Sequence, residues 1–84
     1  DYARSIEGVE IGALIEVRPD QTMKASLRAK EPAYRVDLIA AQFNGGGHAC
    51  AAGLNLKTNP ENFYARLVAA MAQRIAVVEA ERQR

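Results

Sequence analysis

Apolar and polar residues alternate along two segments in the first third of the chain, residues 9–17 and residues 23–30. Alternation with a period of two, in segments rich in apolar and β-branched residues, predicts β-strands. Pro19 and Asp20 lie between the segments and suit a turn, because proline presets φ and aspartate favours turn positions. We therefore predict an antiparallel hairpin, one face of which carries the polar side chains of Lys24, Ser26, Arg28 and Lys30.

A helical period replaces this alternation in the middle of the chain. Apolar residues recur at i, i+3, i+4 and i+7 over residues 36–43, which predicts a short helix. Asp37 is its predicted N-cap, with Val36 packing just outside the first turn. Asn44 and Gly45 are predicted to end the helix, because both tolerate the left-handed conformation.

The last part of the chain predicts a third strand and a second helix. Residues 51–58 form the strand, and Asn59 caps a helix that has Pro60 in its first turn. We expect residues 79–84 to fray because they are mostly charged. The predicted buried stripe of the helix consists of Phe63, Leu67, Met71, Ile75 and Val78.

The order strand–strand–helix–strand–helix predicts an α+β domain, in which a small mixed β-sheet packs with two helices. Residues 1–8 are predicted to be a lead-in or the end of a linker, and residues 9–84 to form the domain. Because the chain begins at Asp1 rather than Met, we expect it to be a segment of a longer protein. So few elements make a thin core, and docking to a neighbouring domain is expected.

Composition narrows the class of partner. The chain has 84 residues, of which 49% are hydrophobic and 25% charged, as in a folded globular domain, and its formal net charge is only +1. A domain that binds nucleic acid through bulk electrostatics would be more basic, so any such contact is local and the ligand short. Cys50 is the single cysteine, which excludes an intrachain disulfide and fits a cytoplasmic location. One histidine and one cysteine do not make a transition-metal site by themselves.

The chain's only histidine, His48, follows three consecutive glycines, Gly45, Gly46 and Gly47. Glycines let backbone N–H groups approach a ligand closely, and an imidazole adds a donor, so the run suits an anion such as phosphate. The alternative is a flexible connection with an incidental histidine.

Other candidate residues are open to two interpretations. Ser26 and Arg28 share a strand face and could bind phosphate, or they could belong to an ordinary exposed polar face. Cys50 is better interpreted as a small buried residue than as a nucleophile. Tyr34 and Tyr64 could stack on a base, although half-buried packing is the simpler interpretation.

Together these residues resemble the DHH-associated domain, the C-terminal part of DHH-family phosphoesterases. The resemblance covers the chain from about Val9 to the last helix. Within this family, the chain most resembles the domain of the bacterial bifunctional oligoribonucleases and pAp phosphatases, also called nanoRNases. The motifs that carry it are Ser26-Leu27-Arg28, the helical segment, the run from Gly45 to His48, and Ala51-Ala52-Gly53.

The resemblance implies a substrate-binding domain that accompanies an N-terminal DHH catalytic domain in the same chain. That catalytic domain would hold divalent metal, commonly manganese, while this segment binds no metal or cofactor, contains no catalytic residue and is inactive alone. The implied substrates are short single-stranded oligonucleotides and 3′-phosphoadenosine 5′-phosphate, with no membrane partner. By resemblance Arg28 holds a phosphate with Ser26 beside it, and Gly45, Gly46 and Gly47 present backbone to the substrate. His48 contacts the scissile or adjacent phosphate and is the candidate for a contact in the transition state.

Asn44 departs from the family pattern, which commonly has a fourth glycine at this position. Asparagine also reaches positive φ, so the turn survives and only a backbone role of that one position is in doubt. Related domains occur in RecJ-type single-strand exonucleases and cyclic dinucleotide phosphodiesterases, which the motif does not separate. An RNA-binding module of the alanyl-tRNA synthetase C-terminal type generally lacks the histidine, so His48 argues against it. A docking domain with a degenerate site is disfavoured because Arg28 and His48 are both present.

Overall fold

A computed structural model describes residues 10–83 of the chain and, by backbone alone, residues 2–7. Val9, the predicted start of the first strand, lies outside the described residues. A short 3-10 helix, Pro32–Tyr34, precedes the first α-helix. The strands are β1 (Tyr2–Glu7), β2 (Ile11–Val17), β3 (Thr22–Ala29), β4 (Gly46–His48) and β5 (Ala51–Lys57), and the helices are α1 (Val36–Ala41) and α2 (Pro60–Arg82).

The strands form one sheet in the order β1-β2-β3-β5-β4, and every described pair is antiparallel. The α+β class, the predicted hairpin and the order of the predicted elements are confirmed. The predicted mixed sheet is wrong, because β5 runs antiparallel to both of its neighbours. Within the β2–β3 hairpin, the N–H of Gln21 donates to the carbonyl of Arg18 over 2.9 Å, which closes the predicted turn.

The first strand was not predicted from the sequence. Tyr2–Glu7 pairs with β2, from Tyr2 opposite Val17 to Glu7 opposite Gly12, so this part of residues 1–8 belongs to the sheet. Its alternation is weak, and its strand conformation depends on the ladder that the edge of β2 offers. The domain boundary at residue 9 stays a prediction.

The core lies between one face of the sheet and the two helices. Each central strand turns alternate residues inward, as β3 does with Met23 and Leu27, and α2 contributes Phe63 and Leu67 to the same core cluster. Burial of these side chains is the main favourable contribution to folding. The predicted stripe of α2 is confirmed, although Ile75 is only partly buried: Phe63, Leu67, Met71 and Val78 are buried, together with Ala70.

Helix α1 begins differently from the prediction. Asp37 is not its N-cap; Arg35 occupies that position with φ 51°, and Val36 is the first helical residue and is buried. The side chain of Arg35 donates to both carboxylate oxygens of Asp37, over 2.8 and 2.7 Å, and this contact lowers the pKa of Asp37. Helix α1 ends at Ala41, two residues earlier than predicted. The predicted left-handed conformation is confirmed at Asn44, where φ is 63°, but not at Gly45.

Helix α2 continues through Arg82, so the predicted fraying of residues 79–84 is wrong for its described part. Arg82 forms an ion pair with Glu31 and lies over the ring of Tyr34, 5.6 Å from its centroid. About two turns earlier in α2, the guanidinium of Arg74 donates to the carbonyl of Tyr34 over 3.1 Å. These long-range contacts hold the charged end of the helix against the 3-10 segment. Neither described helix is long and apolar enough to cross a membrane.

The N-cap of α2 gives a first prediction. The Asn59 side-chain oxygen accepts hydrogen bonds from the backbone N–H groups of Glu61 and Asn62, over 2.9 and 3.2 Å. We expect Asn59→Ala to lower the free energy of unfolding in urea by about 1 kcal/mol, because two N–H groups lose their acceptor. Asn62→Ala, an exposed neighbour in the same turn, is the control and should change it by less than about 0.5 kcal/mol. Equal losses in the two variants would contradict the assigned cap.

Candidate functional site

The glycine–histidine segment is a strand rather than the predicted loop. Gly46–His48 forms β4 at the edge of the sheet, and the two residues Ala49 and Cys50 turn the chain back into β5. Glycine has a low strand propensity, so local sequence gave no signal for this strand. Its conformation follows from the tight hairpin with β5, in which Gly46 lies opposite Gly53 and His48 opposite Ala51.

The three glycines have different roles. A Cβ on Gly45 would lie 2.3 Å from the carbonyl oxygen of Gly53, and one on Gly47 would lie 2.6 Å from the Cα of Ala52. Gly47 also has φ +149°, which a side chain rarely adopts. These two glycines therefore allow β5 to pack closely. A Cβ on Gly46 would meet nothing within 4 Å, so the space beside Gly46 is open.

An open cavity of about 280 Å³ lies beside Gly46. It brings together four of the predicted site residues from two distant parts of the sequence, Ser26 and Arg28 of β3 with Gly46 and Gly47 of β4. Gly45 and His48 are not among the lining residues. The remaining lining residues all belong to β5 and are Ala51, Ala52 and Gly53.

The register of β5 explains why this cavity exists. On the exposed face of the sheet, Ala51 lies between Arg28 and His48, and Gly53 lies between Ser26 and Gly46. Neighbouring strands are about 4.8 Å apart, so the backbone of Arg28 is about 10 Å from that of His48. The same separation holds between Ser26 and Gly46. A methyl group or a hydrogen on the strand between them leaves this space unfilled. His48 thus lies on the same face of the sheet as Arg28, although it does not line the cavity.

Among the described residues that line the cavity, only Arg28 carries a charge. The residues directly opposite it are Gly12 and Ala51, neither of them acidic, and no ion pair of Arg28 occurs within residues 10–83. Lys24, four residues earlier on the same face, lies opposite Glu16, and opposite charges at directly paired positions attract each other. The planar guanidinium of Arg28 can donate two parallel hydrogen bonds to an anion such as phosphate.

The other candidate residues lie elsewhere. Cys50 is half-buried in the β4–β5 turn, where its carbonyl accepts a hydrogen bond from the N–H of Ala29 over 3.0 Å. Tyr34 is only 4% exposed, and Tyr64 packs against the core, so both fit the packing interpretation. The part of the chain that the structure describes holds no group of three or more His, Cys, Asp or Glu residues that could bind a metal. The described residues therefore offer no candidate metal site. The resemblance assigns the metal centre to the catalytic domain and not to this one.

Sequence reasoning missed the part of Ala51 and Gly53 in the cavity floor. It used Ala51-Ala52-Gly53 as one of the motifs that carry the family resemblance. The available signal was the alternation along β5, where Ala52 and Leu54 are buried and Gly53 is exposed. That alternation puts the two smallest side chains of the exposed face next to Arg28 and Ser26 once the register is known.

Comparison with known families shows the family of the chain. The family model of the DHHA1 domain matches residues 1–77, and the chain belongs to this family. DHHA1 domains accompany a DHH catalytic domain in the same chain and are associated with the DHH-family phosphoesterases. No match was found among curated proteins.

The glycines give a second prediction, which separates packing from ligand space. We expect Gly45→Ala to lower the free energy of unfolding in urea by about 1–3 kcal/mol or more, because the new methyl group would collide with backbone. Gly46→Ala, one residue further along the same edge, should stay within about 0.5 kcal/mol of the unsubstituted chain. A destabilised Gly46→Ala variant or an unaffected Gly45→Ala variant would contradict the assigned roles.

Proposed function

We propose that the chain is the substrate-binding domain of a metal-dependent DHH phosphoesterase that hydrolyses short oligonucleotides and 3′-phosphoadenosine 5′-phosphate. The observation that carries the proposal is the cavity in which Arg28 and Ser26 meet the glycines of β4 over a floor of Ala51 and Gly53. Membership of the DHHA1 family supports the phosphoesterase class. The substrates come from the resemblance to nanoRNases.

The residues of this chain bind and orient a phosphate in this proposal. Arg28 offers two parallel N–H groups that match two phosphate oxygens, and the hydroxyl of Ser26, on the same face, donates to a third. His48 approaches from the β4 side and adds a donor across Ala51. The divalent metal and the hydrolytic step belong to the DHH catalytic domain.

The size and charge of the site favour a short ligand. A cavity of about 280 Å³ holds a phosphate and an adjoining sugar, and lies at the small end of ligand sites. The net charge of +1 provides little long-range attraction for a long polyanion. A mononucleotide or the end of a short strand is therefore favoured over a long single strand.

A titration followed by NMR tests the site. We expect 3′-phosphoadenosine 5′-phosphate and a dinucleotide to shift the signals of Arg28, Gly46 and Gly47 in the 84-residue chain. Arg28→Ala should weaken binding by roughly tenfold to a hundredfold, because a hydrogen-bonded charge contact contributes about 1.5–3 kcal/mol.

Lys24→Ala is the matched control, since Lys24 is a cation of the same strand and face but lies outside the cavity. It should weaken binding by less than about fivefold, as is usual for an exposed charge. Absence of binding at millimolar ligand, or equal losses in the two variants, would contradict the proposed site. Tighter binding of a cyclic dinucleotide or of a long single strand would instead favour the alternative phosphoesterases.

The chain alone should not hydrolyse these compounds. Because its described residues provide no set of three metal ligands, we expect no release of phosphate from 3′-phosphoadenosine 5′-phosphate in the presence of Mn²⁺. The measurement is a phosphate assay on the purified chain. Mn²⁺-dependent release that Arg28→Ala abolishes would overturn this division of roles, because a contaminating enzyme would not respond to that substitution.

A further inference from the structure

Leu14 is a large apolar residue on the otherwise polar or small-residue face that carries the cavity. Its side chain is 46% exposed, while its neighbours on the same face of β2 are Gly12 and Glu16. Across the sheet, Leu14 lies opposite Ser26, and the next residue in that row is Gly53. Both Ser26 and Gly53 line the cavity. The apolar side chain therefore stands one strand, about 4.8 Å, beyond the cavity wall.

The charges on this face limit the directions in which a bound ligand can extend from Arg28. Along β3, the next outward residue after Ser26 is Lys24, which faces the carboxylate of Glu16 across the hairpin. An approaching second phosphate would meet that carboxylate as well as the lysine. Across the strands, the row of Arg28 continues through Gly12 to Glu7, whereas the row of Ser26 continues to Leu14. The row of Ser26 is therefore the one that leads to an apolar side chain.

Leu14 offers a ligand apolar contact and no hydrogen bond. Covering its exposed surface is favourable because apolar area is removed from water. The apolar face of a base provides such a surface, whereas the hydroxyl-rich sugar and the phosphate do not. The row Leu14, Ser26, Gly53 and Gly46 thus places an apolar contact at one end and the open phosphate space at the other.

We propose that Leu14 determines specificity in this site by packing against the nucleoside part of a ligand whose phosphate is held by Arg28 and Ser26. This inference rests on the proposed function, because it takes the cavity to be a phosphate site. The nucleoside then lies over β2 and β3, and the phosphate lies towards β4. Discrimination between a nucleotide and a bare sugar phosphate comes from Leu14, whereas Arg28 serves both.

The test compares two probes that differ only by the base, adenosine 5′-monophosphate and ribose 5-phosphate. Leu14→Ala should weaken binding of the adenosine probe by roughly threefold to tenfold, the effect of losing part of a leucine contact. Binding of ribose 5-phosphate should be less affected, and Leu14→Met should retain most of the affinity for the adenosine probe. Arg28→Ala should weaken binding of both probes.

Val68→Ala is the matched control, because Val68 is an apolar residue of α2 that is 48% exposed and outside the cavity. It should change neither affinity. Equal effects of Leu14→Ala on the two probes, or no effect on either, would overturn the role of Leu14 while leaving the phosphate site intact. If the unsubstituted chain bound neither probe at millimolar concentration, the proposed function would fail and this inference with it.

Discussion

The position of β5 between β3 and β4 determines where the candidate ligand-binding groups lie. Antiparallel pairing on both sides fixes the register of β5, and the register places Ala51 and Gly53 between the polar residues of β3 and the glycine–histidine segment. A shift by one residue would turn Ala52 outward and Gly53 into the core, because strand side chains alternate. The same pairing therefore serves the core on one face and the cavity on the other.

Two glycines allow this register because they have no side chain where the strands pack most closely. Gly45 and Gly47 lie against the backbone of β5, where any side chain would collide. Gly46 between them has no such contact and faces the cavity side. Within the run of three glycines, Gly45 and Gly47 thus allow close strand packing and Gly46 leaves open space for a ligand. Neither role alone would require all three residues to be glycine.

The sequence predicts much of this fold because several elements are specified locally. Alternation identified the hairpin and put Ser26 and Arg28 on one face, and Asn59 and Asn44 marked the ends of helices through their capping and left-handed conformations. What the sequence could not show depends on contacts between distant residues. The strand β1 forms only by pairing with β2, and the end of α2 is held by Arg82 on Glu31 and Tyr34. The cavity itself appears only when the register joins β3 to β4 through β5.

The central claim is that a phosphate binds over Ala51 and Gly53 within reach of Arg28, and a structure of the chain with 3′-phosphoadenosine 5′-phosphate tests it most directly. The account predicts a phosphate group on the exposed face of β5, with its oxygens about 2.7–2.9 Å from the guanidinium nitrogens of Arg28. A phosphate bound elsewhere on the chain, with the guanidinium of Arg28 making no contact to it, would contradict the account.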